Sequence, residues 1–211
     1  MIRQQIKDVY FGLVRYLSMP NALVARLRFR KAPAPKGFRL HLGCGPHYIA
    51  GMINIDGNLF RKKDLWFDLR NALPFPDQSA SLVYSSHMLE HLYPEDALRL
   101  LKEIHRVLRD DGVARIAVPS MEHAMAIARG DASMQFPRSF DDPLAQAINY
   151  LFCDGQHKFG YSSGLLEAFA RQAGFTRIAQ YSAQHGVSPK VYGTVSLGNE
   201  PSGSLVVELA R

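Results

Sequence analysis

The chain has 211 residues, 47% of them hydrophobic and 21% charged, which suits one folded domain large enough for a sheet with a buried core. No apolar run approaches the roughly 18 residues of a membrane-spanning helix. The first residues also lack the apolar core and cleavage site of a secretory leader, and two cysteines, Cys44 and Cys153, build no disulfide framework, so a cytoplasmic setting is expected. The formal charge of +6 is unevenly placed: residues 1–36 carry eight Lys/Arg against Asp8 alone, or +7, which leaves −1 for the other 175 residues. Affinity for an anionic surface therefore belongs to the N-terminal segment.

In chain order, residues 1–36 read as a basic amphipathic helical arm, and residues 37–211 as the body. Val9, Tyr10, Leu13, Val14 and Leu17 recur near helical spacing, and Pro20 suits the first turn of a second helix through Leu27. KAPAPKG (31–37) is a stiff linker, because proline fixes φ and disfavours helix before it. Short apolar runs follow: FRLHLGCG (38–45), MINIDG (52–57), LWFDLR (65–70), SLVYSSH (81–87) and VARIAVPS (113–120). Helices are expected from Pro94 to Leu108, stopped by RDDG (109–112), over about 142–153, and over 162–175, where Gly174 is a C-terminal stop. TRIAQYSA (176–183) and SLVVELAR (204–211) read as a closing pair of strands. Strands interleaved with helices predict an α/β fold with a parallel sheet, whose ligands sit outside the carboxyl ends of the strands.

Those ends carry chemistry-bearing residues. The first run ends in Gly43-Cys44-Gly45, where glycines permit turns and close ligand approach. The second ends in Asp56, the third in Asp68, and the fourth in Ser85, Ser86 and His87. Each has an ordinary reading as a turn or cap, but one ligand lying across adjacent strand ends accounts for all of them. SSHMLEHL (85–92) also contains H-x-x-E-H, the pattern of some zinc peptidases, in His87, Glu90 and His91. A catalytic zinc site needs a third protein ligand. Glu122 and His123 are available, but their spacing does not single them out, and His87 falls at a strand end rather than within a helix. No metal is expected.

LHLGCG, INIDGN, DLRNALPFPDQSASLVYSSHMLEHL, LKEIHRVLRDDGVARIAVP and HKFGYSSGLLEAFARQAGF resemble, in order and spacing, the successive motifs of class I S-adenosylmethionine-dependent methyltransferases. The resemblance covers residues 38–175 and is nearest to the small bacterial methyltransferase type 11-like group. It implies a Rossmann-like, doubly wound, mostly parallel seven-stranded sheet with an antiparallel last strand. The first crossover is shortened here, since ten residues separate Gly45 from Asp56 and leave room for about one helical turn. The resemblance places Gly43 and Gly45 on the methionine part of the cofactor, with Leu42 and Cys44 shaping the turn. It places Asp56 on the ribose hydroxyls, Asp68 and the Leu69 backbone on the adenine edge, and Ser85 and His87 beside the sulfonium. His41 departs from the family, which carries an acid there.

If the acceptor is a hydroxyl, a histidine suits removal of its proton. His157, His91 and His87 are the candidate bases, and Glu90 and Tyr161 lie on the acceptor side. The resemblance leads to a cytoplasmic methyltransferase acting on a sugar, glycan or glycolipid intermediate of surface polysaccharide biosynthesis. A small-molecule natural product is the alternative acceptor; a non-catalytic cofactor-binding module and a zinc hydrolase using His87, Glu90 and His91 are alternative functions. No nucleic-acid partner is expected, because the fourth run lacks an Asn-Pro-Pro-Tyr type ending and the basic residues are confined to the arm. The arm has three readings: a lid, a contact with the inner membrane face, or a homodimer interface.

Overall fold

The computed structural model of the chain describes residues 4–31, 33, 36–132, 140–182 and 200–211. Two helices come first, α1 (Gln4–Leu17) and α2 (Met19–Arg28), with Pro20 in the first turn of α2, where a missing N–H costs no intrahelical bond. The body then runs β1 (Phe38–Leu42), β2 (Ile53–Asp56), β3 (Leu65–Trp66), β4 (Ala80–Ser86), α3 (Pro94–Val107) and β5 (Leu108–Pro119). It closes with α4 (Met121–Ala128), α5 (Pro143–Phe152), α6 (Ser163–Gln172), β6 (Arg177–Ser182) and β7 (Ser204–Ala210).

The strands form one sheet in the order β3-β2-β1-β4-β5-β7-β6. Strands β1 to β5 pair in parallel, and β7 runs antiparallel to both β5 and β6. This is the α/β, mostly parallel seven-stranded sheet expected from the sequence. Chain order reverses between β1 and β4, so the crevice for a ligand opens at their carboxyl ends.

Alternation along the strands builds the core. Phe38, Leu40, Leu42, Val83, Ala114, Ile116 and Val118 join the main apolar cluster, together with residues of α3 and α6. Leu82, Tyr84 and Val113 pack separately with Met52 and Ile49. Arg115 is fully buried in the sheet and pairs with Glu200 (2.7 Å) and Glu208 (2.9 Å).

Two elements differ from expectation. Helix α4 has no clear apolar period in MEHAMAIA; it forms because Ser120 caps its start, accepting from the His123 N–H at 3.1 Å, and because Ala124 and Ile127 pack on Ala147 and Tyr150 of α5. The shortened β1–β2 connection contains turns and no helix among the described residues. A buried polar knot stands in its place. Asn54 donates to the carbonyls of Ile49 and Met52 (both 3.0 Å) and to Asp64 (2.9 Å), and accepts from the Ile49 N–H (2.9 Å). His41 bonds to the same Asn54 at 3.0 Å and stacks on Tyr84.

Helix α2 supplies cover that the short connections leave out. Its buried Ala25, with Phe29 just beyond its end, joins Phe38, Phe67 and Phe75, and the Phe29 ring lies 5.7 Å from Phe38 and 5.0 Å from Phe75. Helix α1 buries Val14 alone of its apolar positions, while Ile6, Val9, Leu13 and Leu17 are 56–65% exposed. Of the apolar stripe seen in the sequence, Val9, Leu13 and Leu17 face outward, whereas Tyr10 is half-buried and Val14 is buried.

Candidate active site

The site is built on the carboxyl ends of β1, β2 and β4. Gly43 has φ +67°, and a Cβ there would stand 2.1 Å from Met88 Cγ, so both backbone and packing require glycine. Gly45 has φ +48°, and nothing lies within 4 Å of where its Cβ would be, so open space faces the turn. The turn is tied to β2: the Gly43 and Cys44 N–H groups donate to the Ile55 carbonyl (2.8 and 3.1 Å). Gly45 N–H donates to Asp56 Oδ2 (2.8 Å), and Asn58 N–H to Oδ1 (2.6 Å). Burial, reinforced by Asp56, pushes the Cys44 thiol up to about 12, which leaves it a neutral packing group. Leu42 is fully buried behind the turn.

Asp68 follows β3 and is nearly buried; its carboxylate is gripped by Arg70 through Nε (2.9 Å) and Nη2 (2.5 Å). Its N–H donates to Ser18 Oγ at 3.2 Å, and Leu69 beside it is buried. Arg70 was not singled out from the sequence, although a base two residues after an acid is a readable signal. His41 lies in the polar knot, and burial holds it below the ordinary imidazole range against the hydrogen bond it donates to Asn54.

Past β4 the chain makes a single 3₁₀ turn, Leu89–His91. Ser85 is buried with its hydroxyl unpartnered. His87 adopts φ +50° and places Nε2 2.7 Å from Ser204 Oγ. Since Ser204 donates its own proton to the Pro201 carbonyl, His87 Nε2 is the donor. The other nitrogen, Nδ1, lies 3.4 Å from Glu90 Oε1. Glu90 is 1% exposed, and neither carboxylate oxygen has a hydrogen-bond partner. Its backbone carbonyl accepts from the Lys158 and Phe159 N–H groups (2.8 and 3.2 Å), which brings in His157 from 67 positions away. His157 Nε2 is 3.8 Å from Glu90 Oε1, and the His91 and His157 ring centroids are 4.9 Å apart, edge to face. The structure thus gathers all three candidate histidines around one carboxylate. Tyr161, expected on the acceptor side, is instead fully buried, edge-on to Phe159 at 5.4 Å.

Burial pushes the Glu90 carboxyl up, but the surrounding imidazoles, His87 first, outweigh it and hold the group below the ordinary carboxylate range. Burial holds His157 below the ordinary imidazole value, opposed by Glu90.

Helix α1 lies across both halves of this region. Tyr10 donates to the Gly57 carbonyl (3.1 Å) and accepts from Leu59 N–H (2.8 Å); the Phe11 carbonyl accepts from Arg70, and the Arg15 carbonyl from Asn71 (2.8 Å). Toward the start of the helix, Lys7 donates to Gln156 (3.2 Å) and Asp8 pairs with Lys158 (3.0 Å). The helix, about 21 Å long at 1.5 Å per residue, spans from the segment of His157 to the segment of Asp56 and Asp68.

Residues 44–116 match the family described as a methyltransferase domain. No curated protein matches the chain. Among solved structures, a SAM-dependent methyltransferase from Archaeoglobus fulgidus is 17% identical, with 90% of this chain and 94% of that one aligned at TM-score 0.54. An S-adenosylmethionine-dependent methyltransferase from Mesorhizobium loti is 18% identical, with 89% and 96% aligned at TM-score 0.51. At these identities the solved structures establish the fold alone, and the matched domain model covers about a third of the chain.

Proposed function

We propose that this chain, a class I S-adenosylmethionine-dependent methyltransferase by its matched domain and its fold, methylates a hydroxyl of a glycan or glycolipid intermediate at an anionic membrane surface. The observation that carries the reading is the set of three imidazoles around the buried Glu90 at the end of β4, beside the glycine turn. When bound, S-adenosylmethionine supplies an electrophilic methyl group on a positively charged sulfur. The open space at Gly45 fits its methionine part, with Leu42, Gly43 and Cys44 holding the turn. Asp56 would accept from the ribose hydroxyls, and the backbone of Leu69 with Asp68 would meet the adenine edge. Ser85 lines the passage toward the acceptor.

A hydroxyl gives up its proton as it is methylated, and a neutral imidazole is the side chain suited to take it near pH 7. His157 donates Nδ1–H to the Leu151 carbonyl at 2.6 Å, which leaves its lone pair on Nε2, the nitrogen toward Glu90. Burial keeps that ring neutral, and Glu90 stabilises the cation that forms. His91 is the exposed member, on the side from which an acceptor arrives. Water exclusion falls to α1, which bridges the two halves of the site.

The arm favours a membrane-borne acceptor over a freely diffusing one. Ile6, Val9, Leu13, Leu17, Leu23, Val24 and Leu27 are all more than half exposed, and Phe60, in the loop held by Tyr10, is 87% exposed. Arg26, Arg28, Arg30, Lys31, Arg61 and Lys62 are exposed among them. An apolar surface edged with cations is what an interfacial helix presents to anionic lipid.

The test pairs two measurements on the full chain. Methyl transfer from radiolabelled cofactor is followed against lipid-linked glycans, nucleotide sugars and small phenols, and binding to phosphatidylglycerol vesicles is followed by sedimentation. Leu23→Glu with Leu27→Glu should weaken vesicle binding at least about 10-fold and leave cofactor calorimetry unchanged. Asp56→Ala should weaken cofactor binding by at least about 10-fold. Methylation of amines alone, or vesicle binding indifferent to the arm substitutions, would overturn the reading; self-association lost with the same substitutions would make the arm a dimer contact.

A further inference from the structure

The Glu90 cluster has an unbalanced electrostatic arrangement. Three imidazoles have one nitrogen committed outward: His87 Nε2 to Ser204, His91 Nδ1 to the Gln156 carbonyl at 3.1 Å, and His157 Nδ1 to the Leu151 carbonyl. A carbonyl only accepts, so His91 and His157 each carry a proton on Nδ1 and are left with a lone pair on Nε2. Between them stands a carboxylate that is 1% exposed and receives no hydrogen bond. A protonated imidazole closing on a carboxylate shortens to about 2.7–2.9 Å. The separations here are 3.4 Å to His87 and 3.8 Å to His157. Lone pairs on His91 and His157 face a buried anion, whose one approach from a third ring is the His87 Nδ1 at 3.4 Å.

We propose that Glu90, His91 and His157 form a binding site for a divalent first-row transition-metal ion, zinc being the representative case. One ligand atom from each lies within 4.8 Å of the others, the one such trio of His, Cys, Asp or Glu side chains among the described residues. Tetrahedral zinc at about 2.1 Å from each ligand needs ligand atoms about 3.4 Å apart. The 3.8 Å between Glu90 and His157 is close to that, and exposed His91 has the freedom to complete the set. Two nitrogens and one oxygen suit zinc, iron(II) or cobalt(II), whereas magnesium and calcium favour oxygen ligands. The outward bonds of His91 and His157 to main-chain carbonyls are the outer-sphere contacts that metal-bound histidines make, fixing the tautomer and aiming the ring. Of the H-x-x-E-H stretch only Glu90 and His91 then serve as ligands, with His157 as the third and His87 outside the set.

Three protein ligands leave a coordination position open. A hydroxyl bound there would lose its proton more readily. That second step rests on hydroxyl methylation and would replace, not accompany, proton transfer to His157 Nε2, which the metal would occupy; the site itself does not rest on it.

The experiment uses untagged full-length protein freed of metal with a chelator and titrated with Zn²⁺ by calorimetry and with Co²⁺ by visible absorption. One equivalent should bind with sub-micromolar affinity for Zn²⁺, with cobalt bands of a four- or five-coordinate site. His91→Ala, at an exposed position, should weaken Zn²⁺ binding at least about 30-fold with an unchanged circular dichroism spectrum, and Glu90→Gln should weaken it likewise. Absence of stoichiometric binding, or equal affinity in His91→Ala and Glu90→Gln, would sink the site. Cofactor calorimetry on the metal-free protein separates the two readings. Cofactor binding without metal binding defeats the metal site alone, and metal binding without cofactor binding defeats the methyl-donor assignment alone.

Discussion

At Gly43, two constraints coincide: a left-handed backbone and a Met88 side chain occupying the place of any Cβ. Gly43→Ala should therefore cost about 2–4 kcal/mol, combining backbone strain with a core clash, read as a lowered urea midpoint. The double variant with Met88→Ala should recover the clash component and not the strain. The sequence made this glycine legible, because a G-x-G at the end of an apolar run signals a special turn. It made Asp56 legible for the same reason of position. The Glu90–His157 contact was not legible: it joins residues far apart in the chain, and no local period encodes a tertiary contact of that length. The burial of Tyr161 was not legible for the converse reason, since a tyrosine flanking a loop reads as exposed until neighbouring rings enclose it.

At the scale of elements, the β1–β2 connection replaces a crossover helix with hydrogen bonds converging on one side chain. Asn54→Ala removes its donors and acceptors together and strands the Ile49 and Met52 carbonyls, the Ile49 N–H and His41. A loss of about 2–4 kcal/mol is expected from buried groups left unpaired, measured by equilibrium unfolding. Asn54→Asp should be no milder, because it sets a second carboxylate against Asp64. That this connection would be short followed from counting residues. That it would hold no helix did not, because the choice was made by a side chain from β2 and by Asp64 beyond it. Helix α4 escaped for a related reason: its cap and its packing partner, not its own periodicity, determine it.

At the scale of the molecule, acid should destabilise the fold earlier than its carboxylates alone would. Burial holds His41, His157, His105 and His123 below the ordinary imidazole value. A histidine depressed in the folded state takes up protons on unfolding between its folded value and about 6.5. Its contribution is thus fully present above about pH 6.5 and is lost as pH falls toward the folded value. Glu90, Asp64 and Glu122, held below the ordinary carboxylate range, add the same trend at lower pH. The thermal midpoint should fall by at least about 2–4 °C from pH 7.5 to 5.5, measured by calorimetry at constant ionic strength; a flat profile would contradict it.

The two ends of α1 are anchored to parts of the chain synthesised at different times. Tyr10 and Ser18 find their partners at Gly57–Leu59 and Asp68, some 50 positions later, whereas Lys7 and Asp8 wait for Gln156 and Lys158, nearly 150 positions on. Long sequence separations close late because of their loop entropy. During translation the first turns of the helix therefore remain unclaimed by the body while most of the sheet assembles. With their exposed Ile6 and Val9, they are free in that interval to meet a bilayer before they meet the rest of the protein.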